Sequence, residues 1–102
     1  MTDAAYLRQP TLHGDTVVFV SDDDLWRASV HGGAAQRLSA GLSEPSTPCL
    51  SRDGRWIAYV SRDEQHPELT LMPSSGGPSR RLTWLGADIQ VRGWTPRGHI
   101  LF

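Results

Sequence analysis

The sequence predicts an all-β protein built from repeated four-stranded antiparallel units, the blades of a β-propeller. Two observations predict this fold class. The chain resembles itself at spacings of 40 and 44 residues, and each repeat consists of short apolar strands separated by polar turns that contain glycine. No stretch shows helical periodicity, and Gly or Pro interrupts the chain too often for a long helix. The alternative is a small β-sandwich with a coincidental internal similarity.

The repeat is visible in two registers. A shift of 40 aligns HGDTVVFVS (13–21) with DGRWIAYVS (53–61). A shift of 44 aligns GGAAQRLS (32–39) with GGPSRRLT (76–83), and also LSRDGRWIA (50–58) with WTPRGHILF (94–102). The registers differ by a four-residue insertion within 62–68. We therefore expect about two and a quarter blades of one partial propeller domain: repeat 1 at 1–41, repeat 2 at 42–86, and the start of repeat 3 at 87–102.

Each repeat has the same order of elements. A turn glycine (Gly14, Gly54 or Gly98) leads into a continuous apolar run at 17–20, 56–60 or 100–102. Such a run fits a strand that is buried on both faces, as the middle strand of a stacked blade would be. A more alternating strand follows at 25–30 and 68–72, and a last short strand ends in Arg-Leu-Ser or Arg-Leu-Thr. The dipeptide Asp53-Gly54 predicts a tight hairpin turn before the second run.

The second repeat carries the most specific motif. Its pattern S-x-D-G-x-W-I-A-Y-V-S, followed by L-x-L-M-x-x-x-G-G-x-x-x-R-L-T, resembles the WD40-like (PD40) repeat. That repeat usually has Pro before Asp-Gly, where this chain has Arg52 in the second copy and Pro96 in the third. The first copy, with His13 before Gly14, departs furthest from the pattern. The glycine that carries the turn is present in all three copies, so the blade assignment is unaffected.

The two ends of the chain resemble the beginning of the tricorn proteases and their bacterial homologues. The segments concerned are YLRQPTLHGDTVVFVSDDDLW (6–26) and RRLTWLGADIQVRGWTPRGHILF (80–102). The resemblance implies part of a six-bladed propeller at the start of a longer serine protease. Such a protease degrades oligopeptides downstream of the proteasome or similar proteases, and the propeller serves substrate or product passage and assembly. It implies as partners the remainder of the parent chain, peptides, and further copies in a homo-oligomer.

No residue is assigned to catalysis, cofactor binding or metal binding. In the family that the chain resembles, the catalytic serine and histidine lie far towards the C-terminal end. The four histidines all fall at or beside turns, where we expect exposed structural roles; they are His13, His31, His66 and His99. Ser51 and Asp53 are interpreted as turn residues. Arg37 matches Arg81 across the repeat, which favours a structural role over carboxylate binding by the pair Arg80-Arg81.

Three acidic residues, Asp22 to Asp24, suggest a hard-cation site, because carboxylate oxygens suit calcium. Their spacing does not match a calcium loop, and the shift of 40 sets Arg62 and Glu64 against two of them. We therefore expect a solvated hairpin loop. The four tryptophans are interpreted as packing between blades, with Trp84 and Trp94 the best candidates for an exposed rim.

Composition narrows the remaining classes. A formal net charge of −1 gives no electrostatic case for nucleic acid or an anionic membrane as partner. No apolar run approaches the roughly 18 residues of a membrane span. The lone Cys49 excludes an intrachain disulfide and a cysteine zinc cluster, and is expected to be a small buried residue of a strand. With no apolar leader in MTDAAYLRQP and a free cysteine, we expect a cytoplasmic protein without cofactors.

Two other functions fit a propeller segment. One is a non-catalytic TolB-like propeller that serves as a protein-binding scaffold, and the other is a propeller that shields a prolyl-oligopeptidase-type hydrolase. A further expectation concerns the chain by itself. Unpaired strand edges and an uncovered blade face predict that it oligomerises or is marginally stable.

Overall fold

The computed structural model describes residues 8–38, 44–63, 66–83 and 88–102. Within these ranges the chain forms ten β-strands and no helix, so the described part holds no helix that could cross a membrane. The strands are β1 (Arg8–His13), β2 (Thr16–Ser21), β3 (Asp24–Ser29), β4 (Gln36–Arg37), β5 (Ser46–Leu50), β6 (Trp56–Asp63), β7 (His66–Pro73), β8 (Arg80–Arg81), β9 (Gly93–Trp94) and β10 (Ile100–Leu101).

The strands form three antiparallel sheets, in the order β1-β2-β3-β4, β5-β6-β7-β8 and β10-β9. We call the first sheet blade 1, the second blade 2, and the two-stranded sheet the third sheet. Each sheet is a simple up-and-down arrangement in which neighbours along the chain pair with each other. This architecture confirms the predicted fold class. The boundaries that the sequence predicts between the repeats, at 41/42 and 86/87, lie outside the described residues.

The continuous apolar runs are the second strands of the sheets, as predicted, and β6 shows why they are apolar throughout. Successive side chains of a strand point to opposite faces of its sheet. Ile57 and Tyr59 join the cluster between blades 1 and 2, whereas Ala58 and Val60 join the cluster between blade 2 and the third sheet. The first cluster comprises Val18, Val20, Leu25, Leu50, Ile57, Tyr59 and Met72. The second comprises Ala58, Val60, Leu69 and Val91. Blade 2 is therefore covered on both faces.

The β5–β6 hairpin is confirmed, but its turn is longer than the predicted dipeptide. Ser51 N donates to Trp56 O over 2.8 Å, which leaves 52–55 as a four-residue loop. Gly54 adopts φ +75° and donates its N–H to Ser51 O. The Ser51 hydroxyl donates to Asp53 Oδ1 over 2.7 Å, and the same oxygen accepts from Arg55 N. The two side chains therefore organise this loop, as their interpretation as turn residues predicts.

The four-residue insertion lies in the β6–β7 hairpin. Ser61 pairs with Glu68 in blade 2, as Ser21 pairs with Asp24 in blade 1. Two further pairs extend the hairpin of blade 2, Arg62 with Pro67 and Asp63 with His66. Asp24 therefore corresponds to Glu68, and the match to Glu64 obtained from the shift of 40 is wrong.

Candidate functional site: the inner strands and the blade interfaces

The first strands of the sheets mark the side on which the blades converge. Between blades 1 and 2, β1 and β5 contact each other most extensively, and β5 in turn contacts β9. The main contacts of β4 and β8 are with their own neighbours β3 and β7. Because propeller blades radiate from a central axis, β1, β5 and β9 are the inner strands.

The inner strands β1 and β5 contain the same irregularity. The pairing register shifts between Arg8 and Thr11 in β1, and between Ser46 and Cys49 in β5. At these bulges Gln9 adopts φ +53° and Thr47 adopts φ +45°, and proline follows each of them. A positive φ is unusual for a β-branched residue such as Thr47. A bulge therefore recurs at the same place in both blades and redirects the backbone there.

Side chains of one inner strand accept hydrogen bonds from the backbone of the next sheet. Thr47 N donates to Gln9 Oε1 over 2.6 Å, and Leu50 N donates to Thr11 Oγ1 over 3.1 Å. The first of these contacts repeats one sheet later, where Val91 N donates to Thr47 Oγ1 over 3.0 Å. We call these three contacts the inner ladder. It ties each sheet to the next through the bulge residue.

Sequence reasoning missed the inner ladder, although a signal for it is present. The segments QPTL (9–12) and TPCL (47–50) match at a shift of 38. Four residues separate the paired Leu12 and Val17, and six separate Leu50 and Ile57. Because the turn of blade 1 is two residues shorter, the first strands align at a shift of 38 instead of 40. A search at the shifts of 40 and 44, which reveal the repeat, therefore misses this match.

A polar cavity of about 900 Å³ opens beside the bulges, at the ends where the inner strands begin. Its lining includes Gln9, Thr47, Arg62, Asp88, Gln90 and Arg92. Arg62 and Asp88 lie 4.0 Å apart, with side chains 51% and 96% exposed, so their ion pair contributes little. The lining is predominantly polar and carries charges of both signs.

Asp24 is not part of a solvated loop, contrary to the prediction. Its pairing with Ser21 makes it the first residue of β3, so the turn contains only Asp22 and Asp23, both at positive φ. The Asp24 carboxylate is buried, and its Oδ2 accepts from Arg37 Nη2 over 2.9 Å and from Arg37 Nε over 3.0 Å. The arginine of β4 thus holds the outer strand of the blade, as its predicted structural role requires.

Blade 2 repeats this ion pair with longer side chains. Glu68 is buried, and its Oε2 lies 4.0 Å from Arg81 Nη2. Thr83 Oγ1 donates to the other carboxylate oxygen, Oε1, over 2.7 Å. The buried carboxylates therefore serve the joining of the third and fourth strands. No group of three or more metal-ligating side chains occurs within the described residues.

Three histidines have the predicted exposure. His13, His31 and His99 are exposed beside turns, and His31 Nε2 lies 3.4 Å from the Asp15 carboxylate. The side chain of His66 lies outside the described residues. These positions agree with structural roles at the surface. None of these three histidines forms a hydrogen bond with Ser51 or Asp53.

Trp94 packs between two sheets, as predicted for the tryptophans, but it is not the exposed rim residue that was also predicted. Trp84 lies outside the described residues. Trp94 is half-buried, packs on the second cluster and donates its Nε1 hydrogen to Cys49 O over 3.1 Å. Among the tryptophans that the structure describes, Trp56 is the exposed one, at 41%. Cys49 is a half-buried residue of β5 without a disulfide, and burial raises the pKa of its thiol.

The comparisons with known proteins agree with this architecture. The family described as "Tricorn protease N-terminal beta propeller domain" matches residues 4–102. A tricorn protease homologue of Streptomyces coelicolor is 48% identical over 98 residues, which cover 94% of this chain and 8% of the relative. The chain thus spans less than a tenth of that relative's length.

Two solved structures have the same fold over this length. The crystal structure of the tricorn protease superimposes with a TM-score of 0.82 at 25% identity, covering 93% of this chain and 10% of that chain. A TolB-type protein of Agrobacterium tumefaciens superimposes with a TM-score of 0.77 at 24% identity, covering 90% of this chain and 35% of that one, which shows the fold alone. Together with the family match, these findings establish that the chain belongs to the tricorn protease N-terminal β-propeller family.

Proposed function

We propose that this chain is the propeller part of a tricorn-like serine protease that degrades oligopeptides, and that it serves passage of peptides and assembly rather than chemistry. The observation that carries the proposal is the polar cavity beside the inner strands of a family member. Backbone amides of peptides are polar, and the amide, hydroxyl and charged groups of the lining can form hydrogen bonds with them.

Ser51 and the two buried carboxylates support a role without chemistry. The Ser51 hydroxyl donates a hydrogen bond to Asp53 and accepts one from Trp56 N, so both of these hydrogen bonds stabilise the loop. The buried carboxylates of Asp24 and Glu68 are held by arginines of the same blade. A nucleophile needs an adjacent general base instead.

The proposal includes assembly with further blades or further copies, and a cytoplasmic location. Large apolar side chains are exposed at both ends of the described stack: Leu12 at 63%, and Leu101 and Phe102 at 50% and 53%. Exposed apolar surface of this kind favours association. The free thiol of Cys49 suits a reducing compartment.

A bulky adduct on the cavity lining tests the passage role. Gln90 is exposed and lines the cavity, so Gln90→Cys labelled with a large maleimide would narrow it. His31→Cys is the matched control on an exposed turn away from the cavity. The raised pKa of the half-buried Cys49 thiol slows its own labelling near neutral pH. Labelling is done in the full-length natural protein, and hydrolysis of long and short oligopeptides is measured.

The expected result is slower hydrolysis of long peptides by the labelled Gln90→Cys protein, with little change for the labelled His31→Cys protein. Equal rates for the two labelled proteins would contradict the passage role. A full-length protein that hydrolyses no peptide at all, but captures protein partners, would instead support a TolB-like scaffold.

A further inference from the structure

The inner strand β5 is the end strand of its sheet, so one of its backbone edges lacks a partner strand within the sheet. Such an edge is a template for any extended peptide, which can add to the sheet through main-chain hydrogen bonds. Under the proposed function, on which this inference rests, an extended peptide moves along these edges. An open edge would retain it.

The N–H groups of β5 that point away from β6 define the donors of this open edge. In an antiparallel pair, successive N–H groups point alternately towards the partner strand and away from it. Ser51 N donates to Trp56 O next to β6, so the N–H of Leu50 points away from β6. Residue 48 has the same orientation, but it is a proline and has no N–H. The bulge adds Thr47 to the outward-pointing groups.

Both outward-pointing N–H groups already have acceptors in blade 1. Gln9 Oε1 accepts from Thr47 N, and Thr11 Oγ1 accepts from Leu50 N. The acceptors are side chains, so they satisfy the donors without extending the sheet. Between 47 and 50 the edge therefore offers an incoming strand no free donor on its outward side, and the bulge bends its backbone away from a regular strand.

We propose that the inner ladder, together with Pro48, closes the inner edge of β5 to strand addition, so that extended peptides slide past it instead of binding. The class of ligand excluded is any peptide that binds by main-chain pairing. The same contacts that fix blade 2 against blade 1 thus make this wall non-adhesive. Proline and β-bulges are recognised means of protecting an edge strand.

An opened-edge variant tests the proposal: Gln9→Met, Thr11→Val and Pro48→Ala combined in the full chain. The first two changes remove the acceptors at similar side-chain size, and the third restores a donor. The matched control combines Gln36→Met, Thr16→Val and Pro78→Ala, since none of these three side chains takes part in the inner ladder. Far-ultraviolet circular dichroism establishes that both variants are folded.

The probe is a fluorescein-labelled peptide of about ten residues, the length of a long strand, with alternating Val and Thr and lysines at its ends. Its binding is followed by fluorescence anisotropy, without hydrolysis. Because one net hydrogen bond changes affinity by about a few-fold, the reopened donors together should tighten binding of the probe by about tenfold. The control variant should bind the probe with the same affinity as the parent chain. A probe N-methylated at alternate residues should lose the gain, because it cannot pair.

Equal binding by the opened-edge variant and the parent chain would overturn the proposal, as would an equal gain for the N-methylated probe. If the triple variant does not fold, Gln9→Met alone is compared with Gln36→Met, with a gain of about threefold expected from the exposed Thr47 donor. The readout is independent of proteolysis. A failed passage role in the labelling experiment therefore leaves this result interpretable, and the reverse also holds.

Discussion

Blade 1 and blade 2 place corresponding residues in corresponding positions but bury them differently. Leu12 pairs with Val17 in blade 1, as Leu50 pairs with Ile57 in blade 2. Leu12 is 63% exposed, whereas Leu50 is 6% exposed. Blade 1 covers the Leu50 side of blade 2, while within the described residues no sheet covers the Leu12 side of blade 1. The repeat therefore specifies an apolar position, and the neighbouring blade decides what that position contributes.

The same comparison holds for the ion pairs that join the third and fourth strands. In blade 1 the shorter Asp24 lies 2.9 Å from Arg37. In blade 2 the longer Glu68 lies 4.0 Å from Arg81 and gains a hydrogen bond from Thr83. The repeat thus keeps an interaction between two positions while changing the atoms that make it.

The largest expected difference between the two blades is at the paired leucines. Leu50→Ala should lower the free energy of unfolding by about 3 kcal/mol, because a buried leucine leaves a cavity. Leu12→Ala should lower it by less than about 1 kcal/mol, because most of that side chain is already in water. Urea unfolding followed by tryptophan fluorescence measures both values. Similar losses for the two variants would show that both faces are covered alike.

Alanine at the turn glycines should also affect the two blades differently. Gly14 and Gly54 both have positive φ, at 56° and 75°, which costs an L-residue about 1 kcal/mol or more. A Cβ at Gly54 would also overlap the His13 ring, whereas a Cβ at Gly14 would meet open space. We expect Gly54→Ala to destabilise the chain by about 2 kcal/mol and Gly14→Ala by about 1 kcal/mol. Thermal unfolding compares them, and a smaller effect at Gly54 would contradict the packing of His13 on this turn.

The smallest expected effect concerns acid. The hydrogen bond from the Ser51 hydroxyl, and then that from Arg55 N, lower the pKa of Asp53. A carboxyl whose pKa is lower in the folded chain stabilises it above its unfolded pKa, and this contribution disappears as pH falls through the folded pKa. Asp53→Asn should therefore reduce the loss of stability below about pH 4. Blade 1 has Gly14-Asp15 in the matching turn, so Asp15→Asn is the control. Unfolding midpoints between pH 2 and 7 that fall equally for the parent chain and Asp53→Asn would contradict this role.

Much of the fold follows from the sequence because local patterns determine it. The continuous run 56–60 predicts a strand covered on both faces, and β6 is such a strand. Asp24 was placed wrongly because one residue of hairpin register decides between a turn and a buried strand end. Trp94 was wrongly predicted at an exposed rim because its burial depends on blade 2, which is distant in sequence.

The candidate site was less accessible to sequence reasoning. The absence of an assigned catalytic residue stays a prediction. The inner ladder joins Gln9 to Thr47, and Thr47 to Val91, through one side-chain atom and one backbone N–H each. No local periodicity reports such contacts, since they depend on how closely two inner strands approach. Only the repeated residue-Pro-x-Leu segment pointed to them.

Residue-resolved amide hydrogen exchange tests whether, within the described residues, blade 2 lies between two sheets while blade 1 is covered on one face. Exchange protection reports the local free energy of opening, which rises with buried contacts. The amides of β6 at 57–60, covered by both clusters, should exchange more slowly than those of β2 at 17–20. Equal or slower exchange in β2 would contradict the stacking described here.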